Sequence, residues 1–179
     1  MQSVELLCHP WTPCDVVNGI RASVSRSAHD LLAVTFRVDC DVTRIRVPPP
    51  CPPRIAHQLW EHTCFEAFIA VDGAPAYHEL NFAPSGEWAG YYFTAYREVA
   101  GLADEILAPR VTVRSTADRL ELDAEVALDR LLPDQPLAAL RLGLSAVIEA
   151  SDGTLSYWAL HHPAGKADFH HAHAFALRV

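Results

Sequence analysis

Residues 60–96 read WEHTCFEAFIAVDGAPAYHELNFAPSGEWAGYYFTAY, and the way this stretch folds decides the architecture. It divides into three apolar-rich runs, Thr63 to Val71, Ala76 to Phe82 and Glu87 to Tyr96, separated by Asp72-Gly73 and by Pro84-Ser85-Gly86. Both breaks carry residues that tolerate positive φ, so each is a hairpin signal between antiparallel strands. Centring the first loop near Gly73 and Ala74 sets Phe68 opposite Glu79 and Glu66 opposite Asn81. Side chains alternate along a strand, so this register sorts the ribbon into two faces. One face takes Phe65, Ala67, Ile69, Val71, His78, Leu80, Phe82, Ala89, Tyr91 and Phe93, which reads as a core face. The other takes Glu66, Phe68, Tyr77, Glu79 and Asn81 and, if the second turn keeps register, Trp88, Gly90 and Tyr92. A slip of one residue in the second hairpin exchanges Trp88 and Tyr92 for Tyr91 and Phe93. The grouping of Glu66, Glu79 and Asn81 is independent of that slip.

Outward from this ribbon, the chain keeps a β character. Val4 to Leu7 is a short apolar run ended by Pro10. Ile20 to Ser25 and Leu31 to Asp39 flank Ser27-Ala28-His29-Asp30, a hairpin signal. The run VPPPCPP (residues 47–53) has five prolines in seven residues and reads as an extended internal loop. Glu98 to Leu107, bounded by Pro109, is the one helical candidate of any length. Leu120 to Leu128 sets Leu120, Leu122, Ala124, Val126 and Leu128 against Glu121, Asp123 and Glu125, a clear period of two. Asp129 to Leu132 is a possible helical turn. Leu140 to Ala150 alternates again, Asp152-Gly153 turns the chain into Leu155 to His161, and the last strand is expected around Ala174 to Val179. About ten short strands with at most one or two short helices imply an all-β, antiparallel β-sandwich forming a single domain over residues 1–179.

Composition narrows the function classes. The 179 residues are half apolar, enough for one sizeable core. A formal charge of -8 without a basic stripe argues against nucleic acid and anionic membrane as partners. No apolar run approaches the roughly 20 residues of a membrane helix. The start, MQSVELLCHPW, has no basic region followed by an apolar one, so a soluble, cytoplasmic protein is expected. Five cysteines, Cys8, Cys14, Cys40, Cys51 and Cys64, form no CxxC pair and read as free thiols. Bridges between Cys8 and Cys14 or between Cys40 and Cys51 stay open as alternatives.

Three segments, TCFEAFI, YHELNFAPSGEW and SYWALHHPAGKADFHH, together resemble the DOMON-like domains related to family-nine carbohydrate-binding modules. One such group is labelled after UDP-N-acetylmuramate dehydrogenase, but the chain has no dinucleotide fingerprint or flavin motif, so the resemblance carries no enzymatic activity over. It implies a β-sandwich whose relatives bind sugars or haem.

The polar face matches the sugar reading. A pyranose needs a flat aromatic for its apolar side and fixed carboxylates or amides for its hydroxyls. Glu66, Tyr77, Glu79, Asn81, Trp88 and Tyr92 supply both, with Lys166 or His170 reaching over from the late loop. The bland alternative is an ordinary solvated outer face, or a hydrogen-bonded cluster beneath a covering loop. The two glutamates also suggest a glycosidase acid and base, but such pairs are commoner as structure, and binding without catalysis or cofactor is the preferred reading. The runner-up is a metal or haem site built from His161, His162, His170, His171 and His173. The only methionine is Met1, which disfavours Met-His haem ligation. A third possibility is a structural or interaction module. Trp11, Trp60 and Trp158 read as core or rim residues, and Cys64 shares the polar face without a basic neighbour to activate it.

Overall fold

The computed structural model describes residues 1–27 and 30–179. Ala28 and His29, at the centre of the expected turn after Arg26, lie outside the described residues. Twelve strands follow in order: β1 (Gln2–Cys8), β2 (Val17–Arg26), β3 (Leu31–Cys40), β4 (Cys64–Val71), β5 (Tyr77–Phe82), β6 (Trp88–Ala95), β7 (Glu98–Leu102), β8 (Arg110–Thr116), β9 (Arg119–Ala127), β10 (Leu140–Glu149), β11 (Leu155–Ala159) and β12 (Leu177–Arg178). One helical turn, α1 (Leu128–Leu131), and three short 3-10 turns complete the described elements. The fold is therefore all-β and antiparallel, as the alternation and turn spacing predict.

The strands run in the order β7-β6-β5-β4-β10-β11-β1-β2-β3-β9-β8, with β12 added beside β10. The path turns over at β1, whose Gln2–Leu6 pair with β2 while Leu7 and Cys8 pair with β11. The two halves therefore face each other across one core. Ile20, Phe36 and Leu122 from one half join Phe65, Leu80 and Leu144 from the other in a single buried cluster. The Phe36 and Phe65 rings lie 5.1 Å apart at their centroids, in the range of favourable aromatic pairs.

The first central hairpin has the predicted register, with Phe68 opposite Glu79 and Glu66 opposite Asn81. The second does not keep register. Tyr77 pairs with Phe93, Glu79 with Tyr91 and Phe82 with Trp88. The reason lies in the turn. Ala83 N donates to Glu87 O at 2.9 Å, leaving Pro84-Ser85-Gly86 as a three-residue loop with Gly86 at φ 94°. A three-residue loop with a positive-φ third position is a favoured hairpin connection, and its odd count sends Trp88 and Tyr92 to the core side. Trp88 is buried in the main core, and Tyr92 stands beside His78 at 5.0 Å. Ala89, Tyr91 and Phe93 accordingly leave the core face and join Glu66 and Glu79.

The helix expected over Glu98 to Leu107 is absent. Its first half is the edge strand β7, turned back on β6 by Tyr96-Arg97, with Arg97 at φ 57°. Pairing β7 satisfies the outer hydrogen-bonding groups of β6, which local helix propensity does not weigh. The proline-rich run is a connection inside the fold, as predicted: Cys51 N donates to Ser85 O, and Ala56 N donates to Trp88 O. All five cysteines are free thiols. No described helix is long and apolar enough to cross a membrane.

β4 is buried along nearly its whole length on both faces. Phe65, Ala67 and Ile69 enter the core, while Phe68 and Ala70 lie under a cover supplied by Tyr77, Phe93, Phe169 and Phe175. The late loop reaches this outer face because β10 carries Gly143. A Cβ there would come within 3.2 Å of Ala174 O and 3.3 Å of Phe68 Cβ. Gly143→Val should lift the covering segment and lower stability by about 1–3 kcal/mol, as over-packing generally does. Urea unfolding together with limited proteolysis of the C-terminal segment checks this; an unchanged midpoint and cleavage pattern would refute the close seating of the loop.

Candidate functional site

The outer face of β4, β5, β6 and β10 meets the late loop, residues 160–176, at a cleft of about 400 Å³. That volume lies within the range of about 300–1,000 Å³ usual for small-molecule sites. Strand pairing sets its polar floor: Glu66 comes from β4 and Glu79 from β5. Trp60, Tyr91, Phe93, Tyr157 and Phe169 supply aromatic wall, and Arg97 and His170 complete the polar lining.

Both carboxylates are almost removed from solvent, Glu66 at 3% and Glu79 at 6% exposure. Ser145 Oγ on β10 donates to Glu66 Oε2 at 3.1 Å, and Asn81 Nδ2 donates to Glu79 Oε1 at 2.8 Å. Burial, and secondarily the neighbouring Glu79 charge, pushes the Glu66 carboxyl up to about 8. Burial also raises Glu79, opposed by the Asn81 hydrogen bond and by the Arg97 charge. Burial and the neighbouring charge thus work against both carboxyls being ionised at once, and Glu66 is the one pushed furthest towards its protonated form. Two neighbouring carboxyls in a dry site avoid double ionisation in just this way.

The His170 ring sits over the same floor. Its Nδ1 is 2.9 Å from Tyr77 Oη, and its Nε2 is 3.6 Å from Glu79 Oε2. Burial pushes this imidazole down to about 4, so it is neutral at physiological pH. The contact with Glu79 is therefore not an ion pair, despite its distance. The cation at the cleft is Arg97, which donates to Asp168 Oδ1 at 2.8 Å. Tyr96 Oη donates to Asp168 Oδ2 at 2.7 Å, and the Arg97 backbone N–H donates to Tyr77 Oη at 3.1 Å. This network ties the turn after β6 to the late loop.

Of the residues expected at the site, Glu66, Glu79 and His170 line the cleft; Tyr77 and Asn81 support it from behind. Trp88 and Tyr92 do not reach it, because the odd turn count points them to the opposite side of the sheet. Lys166 does not reach it either. It is exposed on a neighbouring surface shared with His161, His171 and His173, across Arg97 and Ala167 from the cleft. Tyr91 and Phe93 take the places expected for Trp88 and Tyr92. Arg97 has no counterpart in the sequence reading, since it enters through the tight turn that replaces the expected helix. Trp60, read as a core or rim residue, is 39% exposed at the cleft mouth, its ring 5.8 Å from Tyr91. Cys64 is buried, and desolvation followed by the Glu66 charge raises its thiol well above the usual range, the reverse of an activated cysteine.

The five late histidines do not form one metal set. His162 Nε2 donates to Leu7 O at 2.8 Å beside His9, His170 lies in the cleft, and His161, His171 and His173 stay outside. The strands β1 and β5 draw His162 and His170 to different elements, so closeness in sequence does not become convergence. Among the described residues no three His, Cys, Asp or Glu side chains are arranged to hold a metal.

No sequence-family model matches the chain, and no curated protein matches it. Solved structures do share its fold. A Bacteroides uniformis protein to which carbohydrate binding is ascribed superposes with a TM-score of 0.65 at 11% identity, over 89% of this chain and 76% of that one. A family-nine carbohydrate-binding module from Caldicellulosiruptor kristjanssonii, solved with glucose, gives a TM-score of 0.51 at 12% identity over 82% of this chain and 69% of that one. The same module with cellotriose gives 0.51 at 12% identity, over 82% and 67%. The family-nine side of the sequence resemblance thus extends to the fold. The DOMON and dehydrogenase labels gain nothing from these structures.

The Glu66 carboxyl provides a direct check of the cleft electrostatics. Its pKa is raised on folding, so the native state holds more protons than the unfolded chain between the ordinary value and about 8. Stability then falls as pH rises through that window. Glu66→Gln, a neutral near-isostere, should match the native protein near pH 5 and become progressively more stable than it towards pH 9. Thermal melts across pH check this; a difference independent of pH would mean that Glu66 is not held protonated.

Proposed function

We propose that this cleft binds a carbohydrate fragment without chemical change. The observation that carries the reading is the coincidence of two desolvated carboxyls with an aromatic wall in one cleft, on a fold shared with modules solved with glucose and cellotriose. Fold likeness alone would not assign a ligand. The site chemistry adds what a sugar requires. Glu79 accepts hydroxyl protons, protonated Glu66 can donate one, and Trp60 with Tyr91 presents apolar surface to a ring. The modules that share the fold and were solved with glucose and cellotriose favour recognition over hydrolysis. Trp60→Ala and Glu79→Gln should each weaken binding of glucose or cellotriose by about tenfold or more, from lost ring contact and a lost charged hydrogen bond respectively. Isothermal titration reads the affinities, and a reducing-end assay on cellotriose should stay flat. If neither substitution alters binding, the ligand sits elsewhere; accumulating reducing ends would make the protein a hydrolase.

A further inference from the structure

The hydrogen-bonding capacity of the cleft is one-sided. Glu66 Oε2 takes the Ser145 hydroxyl, whereas no described donor reaches its Oε1. Glu79 Oε1 takes the Asn81 amide, whereas its Oε2 has only the His170 ring at 3.6 Å, beyond a good hydrogen bond. Asn81 Oδ1, fully buried behind them, is also without a partner among the described residues. Among the described residues, the floor thus offers ligand-facing oxygens on both carboxyls, Glu66 Oε1 and Glu79 Oε2, with no donor of the protein's own within hydrogen-bond reach. The one cation on the wall among the described residues, Arg97, is engaged by Asp168 and lies 5.7 Å from the Tyr96 ring centroid.

Around these acceptors stand Trp60, Tyr91, Phe93, Tyr157 and Phe169. Aromatic faces beside a buried carboxylate suit an organic ammonium: the carboxylate takes its N–H groups, and the rings attract its charge and its flanking carbons. A neutral sugar can satisfy the acceptors with hydroxyls, yet it brings no positive charge to the buried pair of carboxyls. Resting on the carbohydrate reading above, we infer that the cleft selects a sugar carrying a free amino group, its ammonium seated between Glu66 and Glu79 and its ring against Trp60 and Tyr91.

The charge count around the two carboxyls agrees. Ser145 on β10 and Asn81 on β5 carry no charge, burial raises the Tyr91 phenol on β6, and Cys64 on β4 keeps its proton. Arg97, after β6, is balanced by Asp168 on the late loop, and His170 beside it is uncharged near neutral pH. An ammonium entering this site takes over the place of the proton that Glu66 holds when the cleft is empty. Amine binding therefore expels that proton; binding of a neutral sugar does not.

Calorimetric titration of the full chain near pH 7, in two buffers of different ionisation enthalpy, separates these cases. The ligands are glucosamine, glucose, N-acetylglucosamine and methylammonium. Glucosamine is expected to bind about tenfold or more tighter than glucose, with release approaching about one proton. Acetylating the amine should return affinity to the glucose level. Glu66→Gln should remove the proton release and most of the preference; Glu79→Gln, a second neutral isostere, should also erase the preference and serves if the first variant does not fold. Glucose binding as tightly as glucosamine overturns this inference and leaves the carbohydrate reading in place. Methylammonium binding as tightly as glucosamine overturns it in favour of a bare cation site, and absence of binding by all four overturns both readings.

Discussion

The double burial of β4 is the constraint on which the rest of this structure depends. In an ordinary sandwich each strand shows one face to the core and the other to water. Here Phe68 and Ala70, on the outward face, are as thoroughly removed from solvent as Phe65 and Ile69 on the inward one. Apolar outer residues need a cover, and the chain provides it with its last twenty residues rather than with another sheet. Phe175 packs edge-on against Phe68 at 5.8 Å, and His170 does the same at 5.1 Å. Where that cover stops, between Phe169 and Trp60, the cleft begins.

The same cover explains the electrostatics. Glu66 belongs to the alternation that includes Phe68, so whatever dries Phe68 also dries the carboxyl beside it. Glu79, directly across from Phe68, shares that environment. The fold relieves only part of the penalty, through Ser145, Asn81 and the field of Arg97. Replacing such a pair by apolar residues of similar size is often neutral or stabilising. Two carboxyls kept in a dry cleft, with acceptor oxygens unmatched, thus work against stability, as is common where a site is arranged for a ligand instead of for the fold.

Much of this was legible in the sequence, and the limits are physical. The register of β4 on β5 followed from Asp72-Gly73 and from alternation, so Glu66, Glu79 and Asn81 could be grouped before any coordinates. The β9 and β10 patterns were equally plain because one face of each meets the core and the other alternates with polar residues. What alternation left open was parity across the second turn. Tyr91, Tyr92 and Phe93 are all aromatic, so β6 carries no contrast to fix its own face. The signal lay in Gly86: a positive-φ third residue after Pro84-Ser85 defines a three-residue loop and settles the parity. The edge strand β7 was hidden for a different reason, since short local preference over Glu98 to Leu107 competes with an unpaired β6 edge that only the tertiary structure reveals. Histidines close in sequence were the least informative signal, because a loop crossing from β11 to β12 distributes its side chains over both of its sides.

The origin of the site residues divides the cleft into a fixed part and an adjustable part. Glu66, Glu79, Tyr91 and Phe93 project from strands whose backbone is locked by pairing on both sides, so their mutual geometry is set by the sheet. Arg97, Asp168, Phe169 and His170 come from a turn and a loop; hydrogen bonds, and not the ladder, join Arg97, Asp168 and His170 to each other and to Tyr77. Groups on paired strands keep their positions when a ligand enters, whereas loop groups can shift at little cost. The placement of the carboxyls therefore belongs to the sheet, and the walls above them belong to the turn and the loop. Because Tyr77 Oη receives the Arg97 amide and also meets the His170 ring, one phenol links the strand floor to both the turn and the loop, and it acts with the Arg97–Asp168 and Tyr96–Asp168 contacts and the seating of Ala174 on Gly143 to set the height of the loop above Glu79.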